Sequence, residues 1–95
     1  MHFVIHCLDG PGALPIRLDH YESHKAYLSS APVNIVISGP LLADDGDTMI
    51  GSLFVIDAAD RTAVDSFHRG DPFFRAGVWE RVEIHPFHKR VDNRT

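Results

Sequence analysis

Runs of apolar residues divide the chain into segments of two kinds, and the first kind predicts β-strands. Four runs are rich in β-branched and aromatic side chains and are bounded by Gly, Pro or Asp, as strands are. In the last of these runs Val82 and Ile84 alternate with polar residues, which indicates a strand with one buried face. The predicted strands are residues 2–8, 33–38, 50–57 and 78–87.

The second kind of segment predicts two helices. Residues 16–30 contain no Pro or Gly, and their apolar residues recur at helical spacing. Asp60 precedes residues 61–69 and is suited to cap them, because its short polar side chain accepts a hydrogen bond from a free backbone N–H. Gly70 is placed to end this second helix. The resulting order, β-α-β-β-α-β, predicts an α+β, ferredoxin-like domain with an antiparallel four-stranded sheet.

Two helices on one face of such a sheet leave the other face uncovered. Depending on register, residues such as Phe54, Ile56 and Trp79 would lie on that open face. Small domains cover an exposed apolar face by pairing with a second copy. We therefore expect a homodimer that packs sheet on sheet.

Length and charge narrow the class of protein. The 95 residues form one domain, 1–95, whose polar tail at 88–95 we expect to be flexible. The net charge is −4, so the chain lacks the basic surface that nucleic-acid binding requires. The acidic loop at 41–49 has no distal Glu for calcium and is typical of a solvated hairpin connection.

The apolar runs are too short to cross a bilayer, so we expect no membrane partner. The N-terminus lacks the positive start and apolar run of a signal peptide. Cys7 is the single cysteine, and a free thiol on a strand suits a reducing compartment. A cytoplasmic protein with an inert thiol is the expectation.

The run that begins Asp71-Pro72-Phe73-Phe74 is the strongest candidate for chemistry. The Pro removes the acid from the helix interior, so the carboxylate of Asp71 is aimed by a rigid turn beside two aromatic rings. His24 lies on the other helix, and both helices pack on the same sheet face. Alone, each residue has an ordinary interpretation: a partly exposed histidine and a helix end. Together they form a pair that can move a proton, since a carboxylate fixes the tautomer of an imidazole.

Other candidates have two interpretations each. Arg17 is either a surface charge or an anchor for an anionic substrate, and Ser38 with Gly39 is either a strand exit or a close approach for a ligand. His20 and His24 have the i, i+4 spacing of a metal pair, but Glu22 lies off their shared face, so His6 or Asp71 would have to supply a third ligand. We therefore expect no metal.

Several short motifs, in this order, resemble the YCII-related (YciI-like) family over the chain up to Val91. The matching residues are Asp9, Arg17, His24 within HKAYL, Ser38-Gly39-Pro40, Gly51, Asp71-Pro72-Phe73 with Ala76-Gly77-Val78, and Ile84-His85-Pro86-Phe87. The resemblance implies a dimeric α/β barrel of ferredoxin-like subunits. It also implies an active site built on His24 and Asp71, with Arg17, Ser38, Gly39, Pro72 and Phe73 near the substrate.

One member type of that family is a dehydrochlorinase acting on a chlorinated hydroxyhydroquinone in aromatic degradation. By this analogy we expect a small-molecule enzyme, lyase-like and independent of any cofactor, because elimination needs only a proton and a leaving group. Tyr21, Phe73, Phe74 and Trp79 are the aromatics available to contact a flat ring. The alternative is a non-catalytic dimeric module that binds a metabolite without turning it over.

Overall fold

The computed structural model describes residues 1–94, which fold into one antiparallel four-stranded sheet with helices on one face. Its strand order is β2-β3-β1-β4, so the ferredoxin-like α+β prediction is confirmed. The elements are β1 (His2–Asp9), α1 (Leu14–Asp19), α2 (Tyr21–Ser29), β2 (Asn34–Leu42), β3 (Met49–Asp57), α3 (Arg61–Gly70), α4 (Pro72–Arg75) and β4 (Trp79–Phe87).

The core lies between the sheet and the helices. Every second residue of β1 is buried there, and each pairs across the ladder with a buried residue of β3, as Ile5 does with Phe54 and Phe3 with Ile56. Val64 and Phe67 of α3 pack on these strands. Removal of one such aromatic side chain costs about 3–5 kcal/mol in a protein core, so this layer holds the helices in place.

The structure corrects our expectation for the open face of the sheet. Phe54 and Ile56 are buried beneath the helices, and Trp79 packs against the same core. The opposite face carries Val55 and Ile37, which pair with each other across β2 and β3. Because successive side chains of a strand point to opposite faces, a change of register by one residue exchanges the residues beneath the helices with those on the open face.

The first predicted helix is divided in two. α1 begins before residue 16, because Pro15 is tolerated in a first turn where its missing N–H is not needed. His20 then leaves helical geometry (φ −104°, ψ 7°), and its Nδ1 lies 3.0 Å from the carbonyl oxygen of Ile16. Arg17 and His24 therefore lie on two separate short helices.

β2 continues past the point where we expected it to stop. The strand runs through Gly39 and Pro40 to Leu42, with Pro40 paired opposite Ser52. A proline is accepted here because β2 is an edge strand, so the missing N–H interrupts no second ladder.

The predicted second helix begins as expected and is followed by one that we did not predict. The side chain of Asp60 accepts from Ala63 N at 2.9 Å, which confirms the cap. α3 ends at Gly70, and Asp71 then caps the short helix α4, with Pro72 in the first turn.

Tyr27 joins the two helices that carry the candidate pair. Its hydroxyl donates to the carbonyl oxygen of Phe67 at 2.8 Å, so α2 is held against α3. Gly70 lies beneath the ring, where a Cβ atom would collide with the phenolic oxygen. His24 is one turn earlier on α2, so this contact sets its position relative to Asp71.

The hairpin loop between β2 and β3 is closed by its own hydrogen bonds. Asp45 accepts from Asp47 N and from the backbone and hydroxyl of Thr48, and these bonds lower the pKa of its carboxyl to about 2. No helix within residues 1–94 has the length and apolar character needed to span a membrane. Thr95, the end of the tail predicted to be flexible, lies outside the described residues.

Candidate active site

A cavity of about 420 Å³ opens between α1, α2 and the edge of the sheet formed by β2 and β3. Its wall combines apolar and aromatic side chains with a small number of polar groups, which is the usual composition of a small-molecule site. The lining residues are Arg17, Leu18, Tyr21, His24, Lys25, Leu28, Ser38, Gly39, Pro40, Met49, Ser52, Phe54 and Phe73.

The structure brings His24 and Asp71 together at this cavity. His24 Nδ1 lies 2.8 Å from Asp71 Oδ1, and both side chains are buried. A carboxylate only accepts hydrogen bonds, so this contact assigns the imidazole proton to Nδ1. Nε2 has no hydrogen-bond partner within residues 1–94 and keeps its lone pair for a molecule in the cavity.

Two aromatic rings also hold the imidazole, one stacked on its face and one in an edge contact. Phe73 stacks on it with ring centroids 3.9 Å apart and an interplanar angle of 8°, and Phe54 contacts it edge-on at 6.2 Å. Asp71 is held in turn, because Oδ1 also accepts from Phe73 N at 2.9 Å. The second oxygen, Oδ2, is buried without a partner among the described residues. The pair is therefore pre-positioned before any ligand arrives.

Arg17 forms the other polar group of the cavity, and it is more buried than either interpretation supposed. It donates to both carboxylate oxygens of Asp9, from Nε and Nη2 at 2.8 Å each. Nη2 also donates to Ser52 Oγ at 2.8 Å. The guanidinium carbon lies 4.8 Å from the centroid of Phe73, so the same aromatic ring contacts both polar groups of the site.

The mouth of the cavity is more exposed and carries the remaining charge. Lys25 Nζ lies 5.1 Å from the centroid of the Tyr21 ring and 3.6 Å from Glu22. Ser38 and Gly39 line the opposite edge, on the exposed strand β2. An exposed lysine at this place favours the approach of an anionic ligand.

Three residues that we expected near the substrate lie elsewhere. Pro72 is absent from the cavity wall, because its ring forms the first turn of α4. Phe74 is partly exposed and contacts His68 edge-on at 5.0 Å, and Trp79 stacks on His68 at 5.1 Å instead of lining the cavity.

Ser52 and Asp9 are polar residues of the site whose contacts the sequence did not reveal. Ser52 is two residues before Phe54 on β3, and so shares its buried face. The signal for Ser52 available in the sequence was a single serine at one of the positions of a predicted strand that alternate toward the buried face. Asp9 contacts Arg17 across a turn, and the spacing of the two residues in the sequence does not predict such a contact.

The residues considered for metal or thiol chemistry are His20, His24 and Cys7. Among residues 1–94, no group of three or more His, Cys, Asp or Glu side chains could hold a metal ion. His20 and His24 each direct Nδ1 to a protein oxygen, to Ile16 and Asp71 respectively. Burial, followed by the charge of Asp71, raises the pKa of the Cys7 thiol to about 12, which makes it a poor nucleophile.

The sequence matches the profile of the YCII-related domain over residues 1–88. The chain belongs to the YCII-related family. None of the curated proteins matches it.

One solved structure of similar sequence covers almost the whole YCII-related chain. It is 5-chloro-2-hydroxyhydroquinone dehydrochlorinase (TftG) from Burkholderia phenoliruptrix AC1100, in complex with 2,5-dihydroxybenzoquinone. The TM-score is 0.84 with 34% identity, over 93% of this chain and 94% of that one. This similarity supports a related, lyase-type enzyme role.

Two more distant structures share the fold alone. An antibiotic biosynthesis monooxygenase superimposes with a TM-score of 0.56 at 17% identity, over 94% of this chain and 100% of that one. At3g17210 from Arabidopsis thaliana gives 0.53 at 12% identity, over 97% of each chain. At such identities the shared fold carries no information about chemistry.

Proposed function

We propose that this YCII-related protein is a cofactor-independent lyase that removes HCl from a chlorinated hydroxyhydroquinone or a similar phenolic ring. The observation that carries the proposal is the His24–Asp71 pair, whose free Nε2 faces a cavity of suitable size. The likeness to a dehydrochlorinase structure that holds 2,5-dihydroxybenzoquinone supports the substrate class.

The reaction requires only proton transfers and the loss of chloride. A chlorinated trihydroxybenzene loses two hydroxyl protons: one is delivered to the carbon that bears chlorine, and the other leaves with chloride as HCl. The ring is oxidised to a hydroxyquinone while the C–Cl carbon is reduced to C–H, so electrons balance within the substrate. A single acid–base group that both accepts and returns a proton suits this sequence.

His24 is placed for that exchange. Its unprotonated Nε2 accepts a phenolic proton, and the carboxylate of Asp71 stabilises the imidazolium that forms. The charged imidazolium then returns the proton to the ring carbon. Phe73 and Phe54 hold the imidazole in one orientation, so little reorganisation is needed during the transfer.

The other lining residues fit a flat, oxygen-bearing ring. Tyr21, Leu28 and Phe54 supply apolar contact, while the Arg17 Nη1 group is free of protein partners among the described residues and faces an oxygen of the ring. Ser38 and Gly39 border the open edge and contact the substrate from β2.

The proposal is tested by chloride release and absorbance change with 5-chloro-2-hydroxyhydroquinone. We expect the wild type to exceed buffer, and His24→Ala and Asp71→Asn each to lower kcat by about 10²–10⁴-fold, the usual contribution of a positioned acid–base group. His88→Ala, which removes an exposed histidine of the tail, serves as the control and should retain full activity. A wild type no faster than buffer, with 2,5-dihydroxybenzoquinone nevertheless bound, would instead favour a metabolite-binding module.

A homodimer belongs to the same proposal. The open sheet face carries Val4, Val55 and Ile37, of which Ile37 is 52% exposed in the single chain. We expect sedimentation equilibrium to give the mass of two chains, and Ile37→Glu to give the mass of one. Leu14→Glu, at an exposed apolar residue of α1, should remain dimeric.

A further inference from the structure

Ser52 holds an unusual position in the cavity wall. Its side chain is almost fully buried, at 3% exposure, yet it lines the cavity beside Arg17. Its oxygen accepts from Arg17 Nη2 at 2.8 Å, and its hydroxyl hydrogen has no acceptor within residues 1–94. A buried hydroxyl normally uses its hydrogen as well as its lone pairs. The missing acceptor therefore has to come from a molecule in the cavity.

The bond from Arg17 changes what Ser52 can offer to such a molecule. A donor that carries a charge withdraws electron density from the serine oxygen and so strengthens the hydrogen bond that the serine hydroxyl donates. The low local dielectric of a buried site increases this effect. Ser52 is thus a stronger donor than a serine in water.

Asp9 determines the kind of ligand that this donor suits. It binds two nitrogens of Arg17, so the buried pair carries no net charge. A neutral but strongly polarised donor gains most from an oxygen whose charge grows during a reaction, and less from an ion that is already charged. The arrangement matches a ring hydroxyl that ionises in the cavity.

We propose that Ser52 is a further catalytic residue, whose hydroxyl donates to the ring oxygen that carries negative charge once the phenolic proton is lost. Arg17 polarises Ser52, and Asp9 holds Arg17 in place. No covalent bond forms at Ser52, and its own proton stays on Oγ. The reaction that this residue serves is the one proposed above, and the inference rests on it to that extent.

The decisive measurement is the ionisation of a bound phenol, which needs no turnover. The probe is 4-nitrocatechol, a hydroxylated ring whose neutral and ionised forms absorb at different wavelengths. We expect the wild type to lower the pKa of the bound probe relative to water. Ser52→Ala should raise that pKa by about one unit or more relative to the wild type, and should lower kcat by about 10²–10³-fold, the cost of losing one such donor.

Two variants separate donation from a purely structural role. Ser52→Thr keeps the hydroxyl and should retain most of the shift in probe pKa and most of kcat. Ser66→Ala removes an exposed hydroxyl of α3 and should change neither quantity. Equal pKa values of the bound probe in Ser52→Ala and wild type, or failure of the wild type to bind it, would overturn the assignment.

The two proposals fail in different ways. If the wild type releases no chloride while the ionisation of the bound probe still depends on Ser52, dehydrochlorination is wrong and the anion-stabilising serine stands. If chloride release is rapid in wild type and in Ser52→Ala alike, the reaction stands and Ser52 has no part in it.

Discussion

Two buried pairs, each of a basic and an acidic side chain, contact the same aromatic ring in this protein, and the two pairs have different roles. His24 and Asp71 share a single hydrogen bond and leave one imidazole nitrogen and one carboxylate oxygen without protein partners among the described residues. Arg17 and Asp9 share two hydrogen bonds and use both carboxylate oxygens. Phe73 contacts both the imidazole and the guanidinium.

The difference shows that two neighbouring pairs in one fold can have different roles, one in chemistry and the other in structure. An imidazole changes its charge near neutral pH, so a pair that contains it can pass a proton. A guanidinium remains charged at every physiological pH, so its pair can orient and polarise but not exchange protons. The arginine pair holds a fixed charge in the wall of the cavity, whereas the histidine pair can exchange a proton with the contents.

The largest expected effect comes from breaking the arginine pair. Arg17→Met leaves the Asp9 carboxylate buried without its partner, and we expect the free energy of unfolding to fall by about 3–5 kcal/mol. Urea denaturation followed by circular dichroism measures this. Arg17→Met/Asp9→Leu, which replaces both charges with apolar side chains, should recover most of the loss. A single variant within 1 kcal/mol of wild type (roughly the value of an exposed pair) would contradict the buried pairing.

A smaller effect concerns His68, a buried histidine with no hydrogen-bonded acid. Burial lowers its pKa, an effect that outweighs the opposing charges of Asp71 and Asp65, and Nε2 has no partner among the described residues. Below the ordinary histidine pKa the unfolded chain therefore binds more protons than the folded one, and stability is lost as pH falls.

The expected slope from this one group is at most about 1.4 kcal/mol per pH unit. His68→Phe keeps a ring against Trp79 and removes the titrating group, so its unfolding free energy should fall less steeply as pH drops below about 6.5. Parallel denaturation series of the two proteins at several pH values measure the difference. Identical slopes would show that His68 does not titrate abnormally.

The smallest expected effect concerns the hydrogen bond between Tyr27 and Phe67, which supports the His24–Asp71 pair. Tyr27→Phe deletes the hydrogen bond that holds α2 to α3, and we expect a loss of about 0.5–1.5 kcal/mol in unfolding free energy. Because His24 and Asp71 lie on either side of that joint, kcat should also fall. A stability loss without any change in kcat would mean that the pair is positioned by Phe73 and Phe54 alone.

Local patterns were sufficient to predict the order of the strands along the chain, the Asp60 cap and the general fold. They indicated the meeting of His24 and Asp71, since both helices had to share one sheet face. They could not assign the two faces of the sheet, because strand alternation defines two sets of residues and leaves open which set the helices cover.

Features that depend on distant partners were missed. The break at His20 coincides with the contact between its ring and the Ile16 carbonyl, which helical spacing does not reveal. Gly39 and Pro40 are normal strand breakers, and only the edge position of β2 allows them. The Arg17–Ser52 contact joins residues 35 positions apart in the chain.

The Oδ1 atom of Asp71 accepts from both His24 Nδ1 and the backbone N–H of Phe73, so one oxygen serves both the proposed catalytic pair and the start of α4. In a library of random variants, selection for stability and selection for activity would therefore both retain this aspartate. The two selections would diverge at His24, where a change removes the proton carrier and leaves the helix cap in place. Enrichment at position 71 thus cannot distinguish folding from catalysis, whereas enrichment at position 24 does.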